Sequence, residues 1–365
     1  MDQALQGPGN TMKRYGQLYE KIISFQNILL ASRKARKGKR FIRGTALFEV
    51  ELEKNIFKII QDLELKTYTP GEFRDFYIYD PKMRLISAAP YYDRVIHHAV
   101  MNIVEPLVSK SYIDDSYACI TGRGTHKAVE RYKKFQTSNQ FVLKCDIQKY
   151  FQSIDHDILM EKLNHQIKCK DTLWLFKTII QSRDYPGPLE YFDNDTLFTP
   201  VQCKKGIPIG NLTSQFFSNL YLNDFDHFMK EKIKVQHYIR YCDDFVVFSN
   251  DKARLADIKK SIIGYLDGLR LKVHKHKTRV FRVTDGVDFL GYRIWPDHTK
   301  IRKSVVKAYR KRLKRMGKAY EKGKLGLDRI TASIQSWMGH VQHANSYGLK
   351  KEILSGIRLI KHLEA

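Results

Sequence analysis

Apolar positions recur at helical spacing over residues 17–32 (LYEKIISFQNILLASR) and again over 44–65, where Phe48, Leu52, Ile56, Phe57 and Ile60 fall near one face. The period then shortens. Residues 73–79 (FRDFYIY) read as a strand, Asp80-Pro81 turns the chain, and Arg84–Ala88 reads as its hairpin partner. Pro90 ends the hairpin, and 93–108 is helical. A strong buried strand follows at 141–147 (FVLKCDI), then helices at about 156–168 and 171–182. The stretch 184–199, with Pro186, Gly187, Pro188, Asp193, Asn194 and Asp195, reads as loop or short hairpin. An amphipathic helix spans 211–230, entered from a Gly/Pro-rich turn. Two strands at 237–249 join tightly at 242–244, a helix covers 254–268, and strands cover 271–282 and 287–295. From about 303 the pattern is helical and basic, and there is no internal repeat.

Composition narrows the class. Hydrophobic residues make up 43% and aromatics 12% of 365 residues, enough for a sizeable core. Five cysteines (Cys119, Cys145, Cys169, Cys203, Cys242) include no CxxC pair, which argues against a zinc module or a disulfide-stapled domain. No apolar run approaches the ~20 residues of a membrane span. The start, Met1-Asp2-Gln3, lacks the apolar stretch of a signal peptide. The expectation is a cytoplasmic chain without a membrane partner. Net charge is +25, and most of it sits at the ends: +8 in residues 1–43, seven of whose cations lie in 33–43, and +12 in 301–365. Such a surplus points to a polyanion, most often nucleic acid, and a solvated basic tail is the weaker alternative for the run at 33–43.

Two acidic positions stand where acids are costly. Asp146 ends the apolar strand at 141–145, and Asp243-Asp244 sit between YIRY and FVVF. A buried carboxylate needs a partner or a cation. If these strands are neighbours, three carboxylates meet at one sheet edge, and divalent magnesium resolves their repulsion. Two such ions ~3.5–4 Å apart suit an in-line phosphoryl displacement. Asp-Asp in a turn is weak on its own, because Asp is a common turn residue. Inside two apolar strands, with a third strand ending at Asp146, it is specific.

With these residues the chain resembles reverse transcriptases, from about Arg74 onward. FVLKCDIQKYFQSIDHD (141–157) is similar to the motif of the first catalytic aspartate, and Tyr241-Cys242-Asp243-Asp244 to the Tyr-x-Asp-Asp box. The resemblance implies Asp146, Ile147, Asp243 and Asp244 as metal-contacting positions for two Mg2+ ions, with Mn2+ as a substitute. It implies Phe151 as a steric gate against a ribose 2′-OH, although core packing fits the residue type as well. In the hairpin, Lys82 and Arg84 match triphosphate-binding positions, and Arg forks suit phosphate oxygens. LKVHKHKTR (271–279) resembles the later palm motif ending in Lys-Thr, which implies Lys277 as the group that protonates departing pyrophosphate, although a solvated strand of alternating His and Lys fits the residue types nearly as well. SYACITGRGTHK (116–127), with Arg123 and Gly124, resembles the block that holds the templating nucleotide. Phe289-Leu290-Gly291-Tyr292 resembles the primer grip, centred on Leu290 and Gly291. Lys303 and Arg310 lie on helices matching a duplex-binding thumb. His97-His98 read as structural or RNA-facing. Trp337, Met338 and Val341 have the helical spacing of core positions.

Residues 206–215 (GIPIGNLTSQ) narrow the resemblance. Most reverse transcriptases carry Gln-Gly-x-x-x-Ser-Pro; here the chain has Ile209-Gly210-x-x-x-Ser214-Gln215. That departure resembles the subgroup of diversity-generating retroelements, which copy a template RNA and mutate at its adenines. From residue types alone, the segment is an ordinary turn into a helix, with Asn211 or Thr213 as its cap. The fold expected is α+β, a right-hand polymerase: a basic extension over 1–43, fingers over 44–140, a palm over 141–296 with an insertion around 184–210, and a thumb over 297–365. Expected partners are template RNA, an RNA–DNA hybrid, deoxynucleoside triphosphates and, by the resemblance, an oligomeric basic accessory protein, the accessory variability determinant. The alternatives are a faithful group II intron-like or retron reverse transcriptase and, more distantly, a catalytically silent RNA-binding protein on the same scaffold.

Overall fold

A computed structural model describes residues 14–79, 83–185, 191–192, 195 and 204–356. At its centre four antiparallel strands take the order β4-β5-β3-β6: β3 Phe141–Asp146, β4 Tyr238–Tyr241, β5 Asp244–Ser249 and β6 Arg279–Arg282. β3 and β5 pair along their whole length, from Phe141 opposite Ser249 to Asp146 opposite Asp244.

Side chains on a strand alternate between faces, and here each face feeds its own core. Leu143, Cys145, Tyr238, Phe245 and Val247 enter a core shared with the N-terminal and flanking helices. Val142, Ile239, Val246 and Phe248 enter a second core shared with the C-terminal segment. This is why β3 and β5 read as continuous apolar runs: neither face meets water. On the first face lie α5 Tyr91–Val108, α8 His156–Gln166, α9 Lys170–Gln181, α10 Leu212–Tyr221 and α12 Lys252–Gly268. Asp155 and Asp251 start α8 and α12 by accepting bonds from the first free backbone amides of each helix. On the second face lie α6 Thr125–Gln136 and a small sheet of order β7-β8-β9 (Val287–Phe289, Tyr292–Ile294, Thr299–Ile301). Three C-terminal helices come next: α13 Lys303–Glu321, α14 Leu327–Val341 and α15 Tyr347–Ser355. Tyr309 and Trp337 stack at 4.5 Å and join α13 to α14.

Several boundaries differ from the sequence pattern. The first helix splits at Ser24 into α1 Tyr19–Ile23 and α2 Phe25–Ala35, and the Ser24 hydroxyl accepts from Asn27 N to restart it. The second splits at Glu51 into α3 Arg43–Val50 and α4 Leu52–Glu64. The break turns the apolar face: Ile56, Ile59 and Leu63 are buried, while Phe57 is exposed. The helix expected over 211–230 is α10, then α11 Asn223–His227 and a π-turn at Phe228–Lys232. Residues 271–278 are turn, touching the sheet by a single bridge from Val273 to Ile147, so only Arg279–Arg282 is strand. The strand expected over 287–295 is a hairpin turning at Leu290-Gly291. Helix α6 is an addition to the expected elements, although Ala128, Val129, Tyr132 and Phe135 recur at helical spacing and are buried on one face. The hairpin of β1 Arg74–Ile78 and β2 Arg84–Ala88 forms as expected. Its turn at Asp80-Pro81, most of 184–199, and Cys203 lie outside the described residues.

Leu143 is fully buried at the centre of the sheet. Leu143→Ala is expected to cost about 2–5 kcal/mol in denaturant unfolding. A loss under about 1 kcal/mol would show that this face is not tightly packed.

Candidate active site

The β3–β5 register puts Asp146 directly opposite Asp244 at the open end of the sheet. Asp243 lies in the β4–β5 turn, and its carbonyl accepts from Ile147 N at 3.3 Å. The turn is tight because Cys242 takes a left-handed conformation, φ 58°. Burial raises the Asp243 carboxyl above its usual range, and Asp146 nearby adds to the rise. Burial likewise pushes Asp244 up to about 6, with Asp243 and Asp146 adding and the Lys144 and Lys277 ammoniums opposing. The three acids therefore feel one another, as the separated sequence positions required.

Their geometry is not a preformed metal cage. Among the described residues no group of three or more acids, histidines and cysteines is arranged to hold an ion. Instead the Lys277 ammonium pairs with Asp146. The donor set still suits a hard divalent cation: desolvated carboxylate oxygens that repel one another, beside a backbone carbonyl. The Ile147 side chain is buried, so only its backbone is available to an ion.

Arg84 lies near the acids, and other expected residues meet one another through the turn at 206–210. The positive charge of Arg84, exposed at the start of β2, reaches Asp243 and favours its ionised form. Its neighbour Lys82 lies outside the described residues. Phe151 sits half-buried on the short helix α7 Tyr150–Ser153, and its carbonyl accepts from Ile207 N at 2.8 Å. The turn at 206–210 docks on the hairpin: Ser87 N donates to Ile209 O at 3.1 Å. Gly210 has φ 114°, and a Cβ there would stand 2.9 Å from Ile86, so this turn needs glycine for both shape and space. Neither Asn211 nor Thr213 caps α10 as expected. Asn211 is buried, and its side-chain oxygen instead accepts from Ala89 N at 3.4 Å. Gln215 is exposed on the first turn of that helix.

The block at 115–124 hangs on the back of β4, with Tyr117 N donating to Arg240 O at 3.0 Å. Gly122 and Gly124 have positive φ and open space where a Cβ would stand, leaving the backbone approachable. The Arg123 guanidinium points inward and donates to the carbonyls of Ile113 and Ser116, so it shapes the loop. Leu290 (φ 46°) and Gly291 (φ 90°) make the β7–β8 turn, and Gly291 O accepts from Arg302 N at 3.0 Å. On α13, Lys303, Lys307, Lys311, Lys314 and Lys318 are exposed, while Arg310 is tied to Glu352 at 2.6 Å. Asp93 accepts from Tyr68 OH and Gly71 N, and Arg94 donates to Ala89 O, so that pair is structural. Burial drives His97 down to about 3, which keeps it neutral. Trp337 and Val341 are core, as their spacing implied.

Sequence reading missed Arg240. It is fully buried beside the acid turn and salt-bridged to the equally buried Asp226 at 2.6 Å. The signal was present: an arginine inside the apolar run Tyr238-Ile239-Arg240-Tyr241 demands a buried partner.

An antiparallel sheet packed on both faces, with acids at the end of its central strand and in the neighbouring turn and a basic helical segment beyond, is consistent with an α+β polymerase fold. Residues 79–294 match the family described as reverse transcriptase (RNA-dependent DNA polymerase), and the chain belongs to that family. It is 26% identical to Protein YkfC of Escherichia coli K12 over 268 residues, covering 62% of this chain and 68% of YkfC. It is 27% identical to the group II intron-encoded protein LtrA of Lactococcus lactis over 248 residues, covering 66% of this chain but 39% of LtrA. Among solved structures, an apo telomerase from Candida tropicalis aligns with a TM-score of 0.45 and 13% identity, over 64% of this chain and 55% of that one.

With its folded value raised, Asp244 favours folding below the unfolded value near 3.9 and loses that contribution as pH rises through about 6. In metal-free protein, Asp244→Asn is expected to add about 1–2 kcal/mol of stability at pH 8 and little at pH 4. Thermal melts at the two pH values check this, and an equal gain at both would remove the electrostatic account.

Proposed function

We propose that this chain makes DNA on an RNA template and that it copies template adenines with low fidelity, as in diversity-generating retroelements. The observation that carries the polymerase reading is the β3–β5 register, which sets Asp146 opposite Asp244 with Asp243 in the adjoining turn. Asp146, Asp243 and Asp244, with the Ile147 carbonyl, would hold magnesium (or manganese in its place), which supplies Lewis-acid activation of the primer hydroxyl and of the leaving phosphate oxygen. Arg84 and Lys82 bind the triphosphate, Lys277 gives a proton to the departing pyrophosphate, and Phe151 crowds a 2′-OH. The backbone around Arg123 and Gly124 carries the template. Leu290-Gly291 sets the primer end. Lys303 and Arg310 meet the phosphates of an A-form hybrid, which positions the duplex without reading its sequence. In this reading residues 1–43 are a basic extension, 44–140 fingers, 141–296 palm and 297–365 thumb, and the accessory variability determinant is an oligomeric protein partner. No helix among the described residues is long and apolar enough to cross a membrane.

The low-fidelity part rests on Ile209. An apolar side chain stands where most of the family has an amide able to hydrogen-bond near the nascent pair, so a geometric check on the pair is lost. The similarity to LtrA favours a second reading, a faithful group II intron-like enzyme. Sequencing cDNA made on a mixed-base RNA template separates the two. Errors concentrated at adenines support the first, and a uniformly low error rate supports the second.

Two substitutions test the residues. Asp243→Asn is expected to lower primer extension by at least about 10³-fold while leaving RNA affinity within about threefold; undiminished extension would defeat the site assignment. Ile209→Gln is expected to reduce adenine misincorporation several-fold, and an unchanged error spectrum would take Ile209 out of the fidelity account.

A further inference from the structure

Arg240 occupies an unusual place. It has no exposed surface, yet it lies in β4 between Ile239 and Tyr241, two residues before the acid turn. Its guanidinium makes more bonds than an ion pair needs. Nε and Nη2 grip both oxygens of Asp226 at 2.6–2.9 Å. Nη1 turns the other way and donates to Asn219 Oδ1 and to the carbonyl of Cys242, each at 3.3 Å. Tyr238 OH donates to Asp226 at 2.7 Å and completes the acceptor. The backbone of Arg240 is held as well: its N–H donates to Asp115 O at 2.9 Å, and its carbonyl receives Tyr117 N at 3.0 Å. Asn219, in turn, donates to Ala118 O at 2.8 Å.

The Cys242 carbonyl matters because Cys242 is left-handed, at φ 58°. A non-glycine residue held there is strained, and strain of this kind persists only where the surroundings impose it. The peptide after Cys242 carries Asp243. Fixing the carbonyl fixes that peptide plane, and with it the direction from which the Asp243 side chain leaves the turn.

We propose that Arg240, anchored by Asp226, is a positioning residue for the polymerase reaction: its Nη1 bond to the Cys242 carbonyl sets the acid turn, and its bonds through Asn219 and the backbone of 115–118 tie that turn to the template-facing loop. The inference rests on the polymerase reading above. It assigns to one buried guanidinium the job of keeping the acids and the template loop in a fixed mutual placement. A purely structural ion pair would do less. Replacing both members of a buried pair by apolar residues of similar size is often neutral or stabilising, whereas no apolar side chain can bond a carbonyl.

The test uses that difference. Full-length wild type, the double variant Arg240→Met/Asp226→Leu and the variant Arg240→Lys are compared for melting temperature, RNA affinity, kcat and KM for deoxynucleotide, and amide hydrogen exchange at 241–244. The double variant is expected to melt within about 5 °C of wild type, to bind RNA equally, and to lose about 10²-fold in kcat with little change in KM. Its turn amides should exchange faster. Wild-type kcat in a folded double variant overturns the proposal. Should the double variant fail to fold, Arg240→Lys decides: a single ammonium lacks the fork that reaches Asp226 with Nη2 and the Cys242 carbonyl with Nη1, so kcat should fall while RNA affinity holds, and full activity overturns the proposal. Wild type inactive on a primed RNA template would instead sink the polymerase reading, which keeps the two failures apart.

Discussion

Mutual repulsion among carboxylates taken out of water is the constraint around which this molecule is organised. Asp146, Asp243 and Asp244 are carried to one place by strand pairing, and both turn acids have their ionised forms disfavoured by burial. Such an arrangement persists only if the surrounding fold holds it more firmly than the charges push it apart. The cations at hand, Lys277 on Asp146 and Lys144 near Asp244, relieve part of the repulsion without removing it.

The resistance comes from the sheet. β3 is paired on both sides, by β5 and β6, and β5 is paired by β3 and β4, so the two strands that carry Asp146 and Asp244 have no free edge. Alternating side chains lock both faces into separate cores. A slip of one residue in register would move every apolar side chain to the wrong core as well as separating the acids. Placement of the acids and stability of the fold are thus one property of the β3–β5 pair. The hairpin and the glycine turn then close the site from the other side, joined by the bond from Ser87 to Ile209.

The legibility of the sequence divides along the same line. The apolar runs at 141–145 and 245–248 marked buried strands because burial on both faces leaves no alternation to confuse with a helix. The acids at their ends stood out by contrast. Helix breaks at Ser24 and Glu51 were hidden, since a one-residue change of direction alters which side chains are buried without interrupting the apolar period. The turn at 271–278 misled because alternating His and Lys imitate a half-buried strand, although only Val273 there makes a bridge to the sheet. The inward turn of Arg123 was not legible: its chain length lets it fold back on carbonyls, which residue type alone does not reveal. The apolar run around Arg240 announces a buried partner, but nothing local says that the partner is Asp226, 14 positions away.

The β7–β8 turn is bonded directly to the C-terminal helical segment. Arg302 N donates to Gly291 O, and Tyr292 OH donates to the carbonyl of His340 in α14. The turn and the basic helices are therefore a single mechanical unit. A displacement of the helices is passed to the turn, and a displacement of the turn to the helices, through these two bonds.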